Sequence, residues 1–340
     1  MTVRLDPGLV RRPAGHSPER RPNSIRRTTS IDTFWPDGPD SPGVMIGRAR
    51  DIYTPEDRSE PAVLATGEFR ISVSDQREML AVDLSPPHRH ADRLRGVRGG
   101  KASRAALREC MGDIEATPLY QLLDDFAGAS LVAPWAKLLW AEQLSMSGRK
   151  DSARTVGEAR PAQRNVCIGF AEGSSALLPR NATSVSDHCV SVTEVGNPND
   201  LAGWHELPIT SGPHMRRARR IDIRLEEGVV KVHAGFQDSG RQPSGGRAAV
   251  HEYRIQADID QRSGVLLALD AVPHVLPFPE CPAAAAEARQ MIGKPVTDFR
   301  QLVAATLHSV LGCTHLNDVL RALADVSVLA AALPRQGGVE

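Results

Sequence analysis

The sequence predicts an α+β protein built as a tandem duplication of one unit, with antiparallel strands first and about three helices after them on one face of the sheet. Three observations predict this. A series of short motifs occurs twice in the same order, the second copy has stretches of alternating apolar and polar residues, and stretches of helical periodicity come after those. Strands followed by helices are typical of α+β folds.

The repeated motifs define the two copies. They open with the arginine-rich segments Arg26–Asp32 and Arg216–Asp222. Three further matches follow in order: Gly67–Ile71 with His251–Ile255, Ala81–Asp83 with Ala268–Asp270, and Ala116–Leu119 with Cys313–Leu316. Because every match keeps its place at a spacing of roughly 190 residues, the ordered series indicates duplication although each match alone is weak.

The repeat divides the chain into four segments. Residues 1–24 are rich in proline and arginine without an apolar period, which predicts a disordered arm. Residues 25–140 form the N-terminal copy, residues 141–210 a polar connector, and residues 211–334 the C-terminal copy.

The strands of the C-terminal copy are predicted by alternation. Val230–Phe236 and Tyr253–Ile259 alternate between apolar and polar side chains, as half-buried strands do. Residues 260–264 form a turn, and the apolar run Val265–Val272 returns from it. The two segments on either side of that turn therefore predict a β-hairpin.

Helical periodicity begins after this hairpin. Pro282 suits the first position of a helix that extends to Ile292. Thr297 is suited to cap a second helix whose apolar face runs to Leu311, and a third begins at residues 312–314.

Composition narrows the class of protein. The net charge is zero, so neither nucleic acid nor a membrane surface is an expected partner. Five cysteines do not suggest a disulfide framework, and no signal-peptide or membrane-spanning segment is apparent, which predicts a cytoplasmic protein. Only five of the 41 basic residues are lysine, an arginine-rich composition typical of GC-rich genomes such as those of actinobacteria. Rossmann, P-loop, nucleophile-elbow and His-Glu-x-x-His motifs are absent.

The candidate chemistry lies in the C-terminal copy. Cys281 precedes Pro282, and Cys313 and His315 lie in the first turn of the third helix, where the helix N-terminus favours a thiolate. His251 points to the same side of its strand as Tyr253. Together His251, Cys281, Cys313 and His315 form a plausible set of zinc ligands.

Other interpretations of these residues stay open. Without a metal, Cys313 is the expected nucleophile with His315 or His251 as its base. Arg217, Arg220 and Asp238 are candidates for substrate binding, although the arginines suit the surface of an edge strand equally well. Buried cysteines often only pack in a core. That role is expected for Cys110 and Cys189, whereas Cys167 has the reach to contact the C-terminal copy.

The N-terminal copy lacks the reactive residues as a set. The motif alignment places Ala116 at the position of Cys313, Pro118 at that of His315 and Gly67 at that of His251. This predicts one copy that supplies the site and one that only packs against it, as an internal pseudo-dimer; a monomer or a weak homodimer is expected.

The C-terminal copy resembles an uncharacterised bacterial family, a domain of unknown function that ends in a Gly-Cys-Thr-His-Leu signature. Here the signature is Gly312–Leu316, and His251–Tyr253 and Cys281–Pro282 also match. A looser likeness connects this copy to iron–sulfur scaffold proteins, which hold zinc or a cluster through three cysteines and an aspartate or histidine. With two well-placed cysteines in this copy, that likeness favours zinc over a cluster.

These observations predict an enzyme that acts on an unidentified small molecule through zinc or an activated thiolate. The alternative from another class is a non-catalytic metal-binding or scaffold protein with a structural Cys/His site. An open coordination position discriminates between them, because structural zinc sites are closed by four protein ligands.

Overall fold

A computed structural model describes residues 10–57, 59–146, 163–177, 185–208 and 210–334. Its strands are β1 (Ser24–Phe34), β2 (Gly43–Thr54), β3 (Ala62–Val73), β4 (Met79–Ser85), β5 (Val190–Val192), β6 (His214–Glu226), β7 (Val229–Arg241), β8 (Arg247–Asp260) and β9 (Leu266–Val275). They form one antiparallel sheet in the order β4-β3-β2-β1-β6-β7-β8, and β5 and β9 pair with successive parts of β8. The predicted α+β class with an antiparallel sheet is confirmed.

The helices follow the strands in each half of the chain. After β4 come α1 (Lys101–Met111), α2 (Pro118–Val132) and α3 (Pro134–Met146). After β9 come the short α4 (Ala284–Glu287), α5 (Phe299–Thr306), α6 (Thr314–Ala322) and α7 (Val326–Ala331), joined by 3-10 turns. One apolar core lies under the helices that follow β9 and another under α1 and α2.

The two arginine-rich segments are the two central strands. β1 pairs with β6 along its whole length, from Ser24 opposite Arg224 to Phe34 opposite His214. Arg27 and Arg217 are 2 % exposed. The interpretation of Arg217 and Arg220 as surface residues on an edge strand is therefore wrong, because both are buried in a central strand, where Arg217 is paired to a carboxylate of the next strand.

The hairpin predicted for the C-terminal half is confirmed as β8 and β9, with the turn ending at Gly264. The predicted helices are shorter than expected. Residues 281–291 form α4 between two 3-10 turns, and α5 begins at Phe299 without a side-chain cap from Thr297. It ends at Thr306, so Leu311 lies outside it and is 38 % exposed.

The chain before β1 packs against the C-terminal half. Val10 is buried, and the backbone N–H of Leu276 donates to its carbonyl oxygen over 3.2 Å. Residues 10–23 are therefore ordered, unlike the disordered arm predicted for residues 1–24, whose first nine residues lie outside the described part.

The connector contributes to both faces of the sheet. His205 lies against β1 on the face opposite Arg27, where its ring contacts the hydroxyls of Thr28 and Ser30. Residues 167–170 lie on the helix face beside Cys281. In the described ranges, no helix combines the length and the apolar character needed to cross a membrane.

Candidate metal centre

Three polar side chains of the C-terminal half converge on the helix face of the sheet. Asp238 on β7 lies directly opposite His251 on β8, and the strand register shifts just after Asp238. His315 reaches the same place from the first turn of α6. We call Asp238, His251 and His315 the histidine cluster.

The geometry of the histidine cluster brings three ligand atoms together. Nδ1 of His251 lies 3.3 Å from Oδ2 of Asp238, and Nε2 of His315 lies 3.7 Å from the same oxygen. The ligand atoms of all three residues lie within 4.8 Å of one another. The two imidazole rings are stacked, with centroids 3.4 Å apart and planes inclined by 19°.

Arg217 fixes the carboxylate of the cluster. Its Nε and Nη2 donate to Oδ1 and Oδ2 of Asp238 over 2.9 and 3.0 Å, and its Nη1 donates to Asp318 over 2.7 Å. Burial by itself raises the pKa of Asp238, but the Arg217 charge and the hydrogen bonds of the site outweigh it and hold that pKa well below its usual range. Asp238 is therefore ionised at neutral pH.

Both imidazoles are neutral at neutral pH. Burial lowers the pKa of His251, and burial together with the His251 ring lowers that of His315 well below the ordinary value. Nδ1 of His251 is buried and, within the described residues, has no hydrogen-bond partner of good geometry. Neutral imidazoles beside an ionised carboxylate match the protonation states that a metal ion requires.

Cys313 lies on the far side of the His315 ring. As the residue preceding α6 it occupies the N-cap position, and its Sγ is 3.9 Å from Nδ1 of His315. The expectation that helix N-termini lower the pKa of Cys281 and Cys313 is wrong. Burial raises the pKa of both thiols, because the lost hydration of a thiolate outweighs the N–H groups at the turn.

Cys281 and Cys167 extend the arrangement beyond Cys313. Cys313 lies close enough to raise the pKa of Cys167 and of Cys281, and Tyr253 lies beside all three thiols. The connector thus delivers Cys167 to the C-terminal half, as its predicted reach allowed. We call Cys167, Cys281 and Cys313 the thiol cluster.

The other residues predicted for the site or for packing belong to neither the histidine cluster nor the thiol cluster. Arg217 contacts the site, but it is buried and all three of its nitrogens donate to buried carboxylates, which favours a role in holding Asp238 over binding a substrate. Arg220 points to the opposite face of the sheet, where it contacts Asp222 and His233. Cys110 packs in the N-terminal core, and half-buried Cys189 packs beside Leu139, away from both clusters.

Sequence reasoning did not count Asp238 as a metal ligand. It assigned Asp238 to substrate binding, and the missing information was the pairing of Asp238 on β7 with His251 on β8. That register follows from the β7–β8 hairpin, whose turn at residues 242–246 has two glycines with positive φ angles.

Comparisons with known proteins add one finding. Neither the curated proteins nor the solved structures contain a match to this chain. The family model described as protein of unknown function (DUF2889) matches residues 215–329, which include both histidines of the histidine cluster. This match confirms the resemblance inferred from the Gly312–Leu316 signature.

Proposed function

We propose that Asp238, His251 and His315 bind a divalent transition-metal ion, and that the protein is an enzyme that uses this ion on a small-molecule substrate. The observation that carries the proposal is the approach of the three ligand atoms to within 4.8 Å of one another. Two imidazoles and one carboxylate suit zinc, and this donor set also suits non-haem iron(II).

Access from solvent supports a functional site. The side chains of His251 and His315 are 10 % and 13 % exposed, whereas that of Asp238 is fully buried. The imidazoles thus keep a small contact with solvent, while Arg217 holds the buried carboxylate. Arg217 acts as the outer hydrogen-bond partner that orients a ligating carboxylate.

The number of ligands favours an enzyme over a structural site. The histidine cluster supplies three protein ligands, and Cys313 faces Nδ1 of His315 rather than the Nε2 that points to Asp238. Three ligands leave a coordination position for water or substrate. A zinc ion held there would polarise a carbonyl group of the substrate or activate a water molecule.

The activated-thiolate alternative has less support. Cys313, His315 and Asp238 do follow one another in the order of a nucleophile, a base and an orienting carboxylate. However, Cys313 is 3 % exposed and its thiol pKa is raised. Both properties keep the sulfur protonated and away from a substrate.

Metal content tests the proposal. The protein is purified from metal-replete medium, and bound zinc and iron are measured for wild type, His251→Ala and His315→Ala. We expect both variants to lose about one ion per chain relative to wild type, the ion held by the histidine cluster. His308→Ala, which removes an exposed histidine of the same half, should keep the ion.

Asp238→Asn has a matched control in Asp51→Asn. Asp51 also accepts from an arginine through both carboxylate oxygens, but no histidine lies opposite it. Both changes disturb a buried ion pair, and only Asp238→Asn should release the metal. Equal metal contents in the two variants, or no metal in wild type, would rule the proposal out.

We also propose that the chain is a tandem duplication with an internal pseudo-dimer. Contacts across the β1–β6 pair support it. Arg26 Nε donates to Asp222 Oδ1 over 2.6 Å, and Arg216 Nε donates to Asp32 Oδ1 over 2.7 Å. Each contact repeats the other with the halves exchanged, as in an interface between two like subunits.

A second repetition lies within each half. Arg27 on β1 is opposite Asp51 on β2, Arg217 on β6 is opposite Asp238 on β7, and the strand register shifts just after each aspartate. This register places Ala65, two residues from the Gly67 of the motif alignment, at the position of His251. The N-terminal half thus keeps the ion pair without the histidine.

The cellular site of this enzyme is proposed to be the cytoplasm. All five cysteines are unpaired, and four of them are buried. Free thiols are typical of a reducing compartment.

A further inference from the structure

We propose that the thiol cluster of Cys167, Cys281 and Cys313 is a second metal site, specific for a thiophilic cation such as zinc or copper(I). This inference goes beyond the histidine cluster and does not depend on it. Single buried cysteines commonly pack as small hydrophobes, but here three separate segments of the chain deliver one thiol each.

Gly169 allows the connector to approach the thiol of Cys281 closely. A Cβ atom at this position would lie 2.6 Å from Sγ of Cys281 and 4.0 Å from Sγ of Cys167. Both sulfurs therefore lie near the position that a Cβ atom of residue 169 would occupy, and only glycine leaves that space free. A hydrogen bond of 2.9 Å from the backbone N–H of Ile168 to the carbonyl of Gly312 fixes this turn against the start of α6.

Hydrogen-bond donors surround the sulfurs. The backbone N–H groups of Gly169 and Thr314 face Sγ of Cys167. Those of His315 and Leu316 face Sγ of Cys313. Donors directed at sulfur stabilise a thiolate that is bound to a metal, and such outer contacts orient metal ligands in general.

Tyr253 provides an independent indication. Its side chain is fully buried, and its hydroxyl faces Cys313 without a hydrogen bond of good geometry from any described residue. A buried hydroxyl without a partner is costly. A thiolate at Cys313 would accept the hydrogen bond that this hydroxyl has to give.

A cation is what makes these thiolates stable. All three thiols are buried, and a buried negative charge is costly unless a positive charge lies beside it. Thiolates select zinc and copper(I) over harder ions. The sulfurs are not all within 4.8 Å of one another, whereas zinc–sulfur bonds of about 2.3 Å require closer spacing. We therefore expect the Cys167 turn to move inward when the ion binds.

Cadmium titration tests the site, because cadmium bound by thiolates absorbs through sulfur-to-metal charge transfer and cadmium bound by the histidine cluster does not. The full-length protein is stripped with a chelator, reduced and equilibrated with cadmium ions. Wild type should show a saturable band. Cys167→Ser, Cys281→Ser and Cys313→Ser should each weaken it, and Cys189→Ser, outside the cluster, should leave it unchanged.

Two further variants separate the possible outcomes. Gly169→Ala keeps every thiol but displaces Cys281 Sγ, so its cadmium band should fall. His251→Ala should keep the band even though it is expected to release metal from the histidine cluster. Circular dichroism identifies any variant that fails to fold. A wild-type protein without the band, or a band that Cys189→Ser reduces as much as Cys167→Ser does, would overturn the inference.

Discussion

At the scale of single residues, Asp238 is the side chain that the other groups of the candidate site all contact. Arg217 binds both of its oxygens, and His251 and His315 face one of them. An unpaired carboxylate in this position would be protonated by burial, and an unpaired guanidinium would be costly. The ion pair thus provides a buried negative charge that is fixed in direction, which is the property a cation site needs.

His205 offers a residue-scale prediction about pH. Burial lowers the pKa of this imidazole to about 3, and it accepts or shares hydrogen bonds with Thr28 and Ser30. In the unfolded chain it titrates near 6.5. Between these values the unfolded chain binds one proton more than the folded chain, so this contribution is complete above about pH 6.5 and is lost as the pH falls toward 3.

The measurement is the free energy of unfolding in urea between pH 7.5 and 4.5. We expect wild type to lose stability more steeply on acidification than His205→Gln, by up to about 1.4 kcal/mol per pH unit. His308→Ala, which removes an exposed imidazole, is the control. Parallel pH profiles for wild type and His205→Gln would contradict the assignment of a neutral buried imidazole.

At the scale of elements, helix α2 lies close to the sheet because of a glycine. Gly128 faces β6, and a Cβ atom there would overlap the guanidinium of Arg217 and the carboxylate of Asp318. Arg104 from α1 and Arg217 both pair with Asp318 at this point. The close approach of α2 therefore brings the charges of both halves into one buried network.

Gly128→Ala tests this approach. The added methyl group has no free space, so we expect a loss of several kcal/mol through displacement of the Arg217–Asp318 pair. Gly112→Ala is the matched control, since nothing lies within 4 Å of its Cβ position and its φ is −63°. Chemical denaturation measures both. Equal stability of the two variants would show that α2 is not held against the network.

Local patterns predicted some elements well and others poorly. Alternation located the β8–β9 hairpin because both strands bury one face. The segment from Thr297 to Leu311 was predicted as one helix because its apolar residues have helical spacing, yet the backbone leaves the helix at Leu307. Apolar periodicity indicates which side chains face the core, but it does not indicate where the helix ends.

The ion pairs between residues far apart in the sequence were not predicted, for a different reason. A surface position was one of two expectations for Arg217 because charged residues are usually exposed, and Arg27 has the matching place in the first motif. Their partners Asp51 and Asp238 lie on the next strand, and Asp325 and Asp318 come from the last helical segments. Only the completed sheet brings these groups together. Cys167 joined the thiol cluster through a connector whose sequence carries no periodic signal.

At the scale of the whole molecule, the two halves share one sheet and one ionic network. β1 and β6 pair along Ser24–Phe34 and His214–Arg224. Arg27 donates to Asp325 over 2.6 Å, and Arg321 donates to Asp124 over 2.6 Å, each across the boundary between the halves. Separating the halves would expose a central strand on each side and leave buried charges unpaired.

Unfolding should therefore be cooperative across the chain. We expect tryptophan fluorescence, which includes Trp35 of the N-terminal half, and far-ultraviolet circular dichroism to report one coincident transition in denaturant. Asp325→Ala should lower its midpoint, because Arg27 and Arg300 lose a buried partner. Two separate transitions in wild type would mean that each half is stable without the other.

The most direct test of the central claim is anomalous X-ray diffraction from the metal-loaded protein. A metal at the histidine cluster predicts a peak about 2.0–2.2 Å from a nitrogen of His251, a nitrogen of His315 and a carboxylate oxygen of Asp238, with at least one coordination position not filled by protein. A metal-loaded, folded protein without a peak at these three residues, including one whose peak lies only among sulfur atoms, would contradict their assignment.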